Sequence, residues 1–174
     1  MFTLRCTHKL LRRGLAETSG PEHAPTTLLG DWYANVLFCR PQHLVLCISE
    51  RTLLPIVVPA KDTKLLLARV HEAVSSTLAT IGIPPSVIAA ELGEMQAFRI
   101  GRTLSKRILG SLNDFMFHLE HALHEHPTLP LFEHALRLAD IPCKPIEYSF
   151  PSEATKALFL SAPASSQARE KNAL

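Results

Sequence analysis

The chain has no strong excess of charge of either sign. Its 174 residues include 18 Lys and Arg against 16 Asp and Glu, which fits neither a polycation that coats nucleic acid nor an acidic solvating protein. It has no run of about 18 apolar residues, so no segment is predicted to span a membrane. Aromatic residues make up only 6% of the chain, which leaves few rings on which bases could stack.

The cysteines are few and form no C-x-x-C pair: they are Cys6, Cys39, Cys47 and Cys143. This spacing excludes a zinc ribbon and a disulfide framework, and it predicts free thiols in a reducing cytosol. The basic N-terminal segment lacks the apolar core of a secretory signal, so we expect a cytoplasmic protein. Phosphate-loop, dinucleotide-binding, nucleophile-elbow and EF-hand motifs are also missing, and no cofactor is predicted.

The composition is that of a globular domain. Hydrophobic residues make up 47% and charged residues 20% of the chain, which argues against wholesale disorder. The length predicts one domain. We expect a single α+β domain over residues 1–140. A proline-rich C-terminal arm with a disordered end is expected over residues 141–174.

Two patterns predict the secondary structure. Runs rich in apolar and β-branched residues predict strands at 2–6, 32–39, 44–49, 53–59 and 96–103. Apolar residues at helical spacing predict two main helices, 62–81 and 105–125, and shorter accessory helices. We therefore expect an antiparallel sheet of four to five strands packed by the two main helices. Strands that are apolar on both faces must be covered on both sides, by helices or by a second copy in a homodimer.

The predicted helix 105–125 has a polar flank opposite its apolar face, made of Arg107, Ser111, Asp114, His118, His121 and Glu125. His118, His121 and Glu125 are weak metal candidates, because the zincin motif His-Glu-x-x-His is not present. Asp114 and His118 are candidates for acid–base catalysis, with Arg107 holding a phosphate, as in a hydrolase or nuclease. A plain solvated face stabilised by neighbouring pairs is the third interpretation.

A basic run leads into the same helix: Arg99, Arg102, Lys106 and Arg107, with no acidic residue between Glu94 and Asp114. Arginine side chains and the free N–H groups of a helix start attract anions. This run predicts an anionic partner, either a nucleic acid or an acidic protein.

A second polar box stands at Gly30–Asn35 and contains the only Trp. Its Gly-Asp pair favours a turn that enters a strand, with Trp32 in the core. The alternative is a pocket wall in which Asp31 and Asn35 face Arg107 and Asp114. Asn35 needs hydrogen-bond partners if it is buried.

Three boxes together carry a family resemblance: Leu-Arg-Cys-Thr-His-Lys-Leu-Leu at 4–11, Gly-Asp-Trp-Tyr-Ala-Asn at 30–35 and Leu-Gly-Ser-Leu-Asn-Asp at 109–114. Over about residues 2–125 the chain resembles a bacterial family of unknown function. The resemblance implies a small cytosolic domain and a loose association with mobile-element or defence genes. It does not point to any particular activity, because none is established for the family. The chain departs from the family pattern at Lys106-Arg107-Ile108, where relatives have Asn-Arg-Ser, and at Leu112, where they have Met.

Taken together, these features favour a non-enzymatic binding module for a protein or nucleic-acid partner, with a hydrolase or nuclease as the alternative. A homodimer is left open, and no membrane partner is predicted. The predicted binding residues are Asp31, Trp32, Asn35, Arg99, Arg102, Lys106, Arg107, Ser111, Asn113 and Asp114.

Overall fold

A computed structural model describes residues 1–162 of the chain; residues 163–174, where the disordered end is predicted, lie outside the described part. The strands are β1 (Phe2–Cys6), β2 (Trp32–Leu37), β3 (Leu44–Ser49), β4 (Pro55–Pro59) and β5 (Phe98–Arg102). The helices are α1 (His8–Leu11), α2 (Leu66–Thr80), α3 (Pro85–Glu94), α4 (Lys106–Glu125), α5 (Leu131–Ala139) and α6 (Pro151–Ser161). Short 3-10 turns span Thr63–Leu65 and Lys144–Ile146.

The predicted α+β fold is confirmed, with one correction to the sheet. The five strands lie in the order β4-β3-β2-β1-β5, and β1 runs parallel to both β2 and β5. Only β2, β3 and β4 form the expected antiparallel hairpins. The sheet is mixed because long connections, one through α1 and one through α2 and α3, carry the chain across the sheet, whereas a short hairpin can join only antiparallel strands.

Helices cover both faces of the sheet, as the two-sided apolar strands require. One core packs side chains such as Leu4, Trp32 and Cys47 under α1, α2 and α3. The other packs Tyr33 and Leu46 of the sheet against α4 and α5. The chain thus buries both faces of its sheet by itself, and the homodimer stays a prediction.

The two main helices form where the sequence predicts them. The buried side of α2 contains Val70, Val74 and Leu78, which recur every four residues and therefore share one face. Helix α4 begins after Ser105, whose side chain accepts a hydrogen bond from the Ile108 N–H at 3.3 Å. That bond satisfies one of the free N–H groups of the first turn.

The segment after residue 140 packs back onto the domain. The Thr155 hydroxyl donates to the Thr52 hydroxyl at 2.8 Å, and the Ser152 hydroxyl donates to the Asp140 carboxylate at 2.9 Å. Phe159 of α6 is buried in the core under α2 and α3. These contacts join α6 to the β3–β4 turn and to the end of α5; the predicted boundary at residue 140 stays a prediction.

Candidate functional site

The carboxyl ends of β1 and β5 form one edge of the sheet, since the two strands are parallel and Cys6 lies opposite Arg102. Helix α1 follows β1 and helix α4 follows β5, so both helices begin at this edge. In open α/β sheets the crevice outside the carboxyl ends of parallel strands is the usual place for a ligand. The parallel pairing therefore makes this edge the first candidate site.

The same edge collects positive charge. Residues 1–16 and residues 95–113 contain no Asp or Glu, and the β1–β5 pairing places their strands side by side, with α1 and α4 beginning at the same end. We call the exposed cations of these segments the basic edge: Lys9, Arg12, Arg102, Lys106 and Arg107. Among residues 1–162, Lys9, Arg12 and Lys106 form no salt bridge. Their charges are thus available to an anionic partner.

Two residues of the predicted basic run contact the chain itself. The Arg102 Nε lies 2.8 Å from the Glu17 carboxylate, but the Arg102 side chain keeps 73% of its surface exposed. Arg99 Nη2 donates to the carbonyls of Thr18 at 3.0 Å and Gly20 at 2.9 Å. Arg99 therefore holds the long loop before β2 in place, whereas Arg102 stays open to solvent.

A buried ion pair lies beneath this loop. Arg5 Nε is 2.7 Å from Asp31 Oδ2, and their side chains are only 7% and 2% exposed. The other Asp31 oxygen accepts the Thr3 N–H at 2.8 Å, and Glu22 faces the end of the guanidinium at 3.3 Å. Burial alone would lower the pKa of Arg5, but Glu22 and Asp31 raise it on balance. Asp31, a predicted binding residue, is thus engaged by Arg5.

Sequence reasoning missed the role of Arg5. The sequence contained a signal for it: Arg5 is a charged residue in a strand whose other residues are of types that are often buried. A buried charge needs a partner of opposite charge. The sequence does not indicate which acid supplies it, since Asp31 lies 26 residues away in the chain.

The rest of the Gly30–Asn35 box divides between the two faces of β2. Trp32 is fully buried in the core under α1, α2 and α3. The Asn35 side-chain oxygen accepts the Thr7 hydroxyl at 2.6 Å. The Tyr33 hydroxyl accepts the Ser105 N–H at 3.3 Å, and burial raises the pKa of Tyr33. The box therefore joins β2 to the starts of α1 and α4, at the basic edge.

The polar flank of α4 lies beside the segment that follows α5. Arg107 Nη1 donates to the Pro145 carbonyl at 3.0 Å, and Ser111 is buried. Burial raises the pKa of the Cys143 thiol to about 11, and the Asp114 carboxylate adds to the effect. Asn113 and Asp114 themselves are exposed.

Among the described residues, Arg107, Asp114 and His118 form no salt bridge with one another, and the predicted metal residues form one pair. Arg107 is turned toward Pro145, and His118 lies exposed with its ring 6.0 Å from that of Phe117. His121 pairs with Glu125 at 3.3 Å. Within residues 1–162 no group of three His, Cys, Asp or Glu side chains is arranged to hold a metal ion. The catalytic and metal roles stay predictions without a converging geometry.

One histidine outside the predicted set is buried. His134 of α5 is 1% exposed, and this burial lowers its pKa from 6.5; the His126 backbone opposes the shift, and the charge of Arg137 adds to it. As the pH falls, the unfolded chain therefore takes up a proton at this position before the folded chain does. The folded state should lose stability as the pH falls below about 6.5.

We expect the variant His134→Leu to lose this component of the pH dependence. Urea unfolding of both proteins at several pH values between about 7.5 and 5 would measure it. The native protein should lose more stability than His134→Leu over this interval. Equal losses in the two proteins would contradict the assignment.

The comparisons with known proteins identify the family. A family model described as a domain of unknown function, DUF6933, matches residues 3–154. The chain belongs to the DUF6933 family. This agrees with the resemblance to a family of unknown function, and the DUF6933 match includes every residue of the basic edge. Comparisons with curated proteins and with solved structures give no match.

In the described part of the DUF6933 chain, no helix is long and apolar enough to cross a membrane.

Proposed function

We propose that this protein is a non-enzymatic binding module for single-stranded nucleic acid, with the phosphate backbone lying along the basic edge. One observation carries the proposal: the parallel pairing of β1 and β5 places two basic segments without acidic residues side by side. A nucleic-acid strand whose phosphates are neutralised by Lys9, Arg12 and Lys106 would release its counterions. This release is the main source of affinity in non-specific nucleic-acid binding.

The geometry of α4 supports phosphate binding at the same place. The free N–H groups at the start of this 20-residue helix carry partial positive charge. Lys106 stands in its first turn. A phosphate there would meet both a side-chain cation and the helix start.

An aromatic side chain near this edge favours a single strand over a duplex. Phe38 directly follows β2 and is 55% exposed. The Arg13 guanidinium lies 6.0 Å from its ring, and the His43 ring lies 5.1 Å from it. An exposed ring flanked by a cation is the kind of surface on which an unpaired base stacks.

The proposal predicts salt-dependent binding of a fluorescein-labelled oligothymidylate, measured by fluorescence anisotropy. With about three phosphate contacts, the logarithm of the association constant should fall with the logarithm of salt concentration with a slope of about −2. The variant Lys9→Ala/Lys106→Ala should bind at least about tenfold more weakly, with a shallower slope by about 1.4.

The matched control is Arg137→Ala/Lys156→Ala, which removes one cation of α5 and one of α6, both outside the basic edge, and keeps the net charge of the test variant. It should bind nearly as tightly as the native protein. Equal losses in both double variants would mean that only net charge matters, and the site would be wrong. Absence of binding at low salt would reject nucleic acid and leave an acidic protein as the partner to test.

A further inference from the structure

A cavity opens along β4, the outer strand on the side of the sheet opposite β5. It has a volume of about 510 Å³ and lies between α2, α5 and the edge strand β4. Its walls are mostly apolar, with Val57, Ala73 and Phe132 among the lining residues. Cavities of about 300–1,000 Å³ with apolar walls and a few polar groups are typical of small-molecule sites.

One residue that lines this cavity has a buried hydroxyl without a partner in the described chain. Thr77 of α2 is 1% exposed, and its Oγ1 has no hydrogen-bond partner among the residues that the structure describes. A buried polar group without a partner costs free energy, and such groups are uncommon in folded proteins. A ligand with a hydrogen-bond acceptor would satisfy the Thr77 hydroxyl.

The floor of the cavity offers a second donor. Val57 lies opposite Leu46 of β3. The Ser49 N–H donates to the Leu54 carbonyl, and the Ala60 N–H donates to the His43 carbonyl. Residues of an antiparallel strand alternate between pairs that exchange hydrogen bonds and pairs that do not, and these two bonds show which residues of β4 bond to β3. By that alternation the N–H of Val57 points away from β3, toward the open edge. Thr77 and Val57 both line the cavity.

An added peptide strand would not suit this edge. Pro55 and Pro59 occupy the two other outward positions of β4, and proline has no N–H to donate. Strand addition needs a row of donors and acceptors, and here only Val57 supplies an outward N–H. The occupant that fits is therefore small.

We propose that the cavity between β4, α2 and α5 binds a small, mostly apolar molecule that carries one carbonyl-type acceptor. The apolar body packs on Val57, Ala73 and Phe132, and the acceptor takes the Thr77 hydroxyl proton in a hydrogen bond. This site is separate from the basic edge and does not depend on the function proposed there.

Two probes of nearly equal shape test the proposal: acetophenone, which has a carbonyl acceptor, and ethylbenzene, which has none. Each is titrated into the ¹⁵N-labelled full chain, and amide shifts are followed by NMR. Acetophenone should give saturable shifts at Val57 and Thr77 and should bind about five- to tenfold more tightly than ethylbenzene, as expected for one added hydrogen bond.

Two variants assign the binding to this cavity. Thr77→Val keeps the shape but removes the hydroxyl, so it should bind both probes equally. Because that hydroxyl has no partner in the described chain, its loss breaks no internal hydrogen bond. Ala73→Leu should fill the cavity and abolish binding of both probes. Ala79→Leu, the same change at an exposed position of α2 outside the cavity, should leave binding intact.

The proposal is overturned if acetophenone gives no saturable shifts up to its solubility limit, or if Ala73→Leu and Ala79→Leu bind it alike. Retention of the acetophenone preference in Thr77→Val would overturn the role of the hydroxyl.

Discussion

Replacement of Arg5 by Met should lower the free energy of unfolding by about 3–5 kcal/mol, the usual cost of removing one partner from a buried ion pair. Asp31 would lose its charged partner at a site where its side chain is 2% exposed. The methionine fills the space of the aliphatic stem but offers no donor. Urea unfolding followed by tryptophan fluorescence measures the loss.

Arg102→Met is the matched control on the neighbouring strand. Arg102 also pairs with a carboxylate, at 2.8 Å, but its side chain is 73% exposed and that of Glu17 is 43% exposed. Exposed pairs of this kind contribute about 0–1 kcal/mol. The two variants thus remove the same side chain from two ion pairs that differ mainly in burial.

A double variant separates the free energy lost with the ion pair from the cost of leaving the Asp31 carboxylate without a partner. In Arg5→Met/Asp31→Asn the uncompensated carboxylate is gone, while the Asn oxygen can still accept the Thr3 N–H. It should recover part of the stability that Arg5→Met loses. If Arg5→Met costs no more than Arg102→Met, the Arg5–Asp31 pair does not stabilise the fold as described here.

Replacement of Phe115 by Ala should cost about 3–5 kcal/mol, as is usual for a buried aromatic residue. Phe115 is 2% exposed and packs in the core between α4 and the sheet. Its removal takes away both the apolar burial and the contacts of a well-packed site. Urea unfolding and the shift of the thermal midpoint would each report the loss.

Phe117→Ala, two positions further along α4, is the control. Its side chain is 70% exposed, so the substitution should change stability by no more than about 0.5 kcal/mol. Both variants place alanine in the same helix, so helix propensity contributes equally. Similar losses at the two positions would contradict the packing of α4 on the sheet.

The two main helices were predictable because their signal is local, whereas no helix was predicted at α6. In α4 the buried residues Ile108, Leu112, Phe115 and Leu119 recur at intervals of three and four, and this spacing alone defines one apolar face. Ser105 before the first turn supplies the start signal. Strands β2, β3 and β4 were predictable for the same reason, since each is a short apolar run bounded by turn residues.

The direction of β1 was not predictable from such patterns. A strand buried on both faces has the same hydrophobic pattern whether its neighbours are parallel or antiparallel, because this pattern depends on burial and not on pairing. The partners of β1 lie far along the chain, with Cys6 opposite Ala34 on one side and Arg102 on the other. No local signal specifies such long-range pairs.

The candidate site divides in the same way. The sequence predicts the basic run from Arg99 to Arg107 because charge is visible residue by residue. It does not predict that Lys9 and Arg12 join that run, or that Arg99 binds loop carbonyls instead. Phe38 was likewise missed as an aromatic partner, because only the folded chain places Arg13 against its ring.

By itself, then, the sequence determined the class of the fold, the two main helices and the supply of exposed cations, since these follow from periodicity and composition within short windows. Only the tertiary structure decided the mixed order of the sheet, the burial of Arg5 with Asp31, the joining of two distant basic segments at one edge and the cavity beside β4. Each of these depends on residues brought together across tens of positions, and their contacts are set by strand pairing and packing rather than by neighbours in the chain.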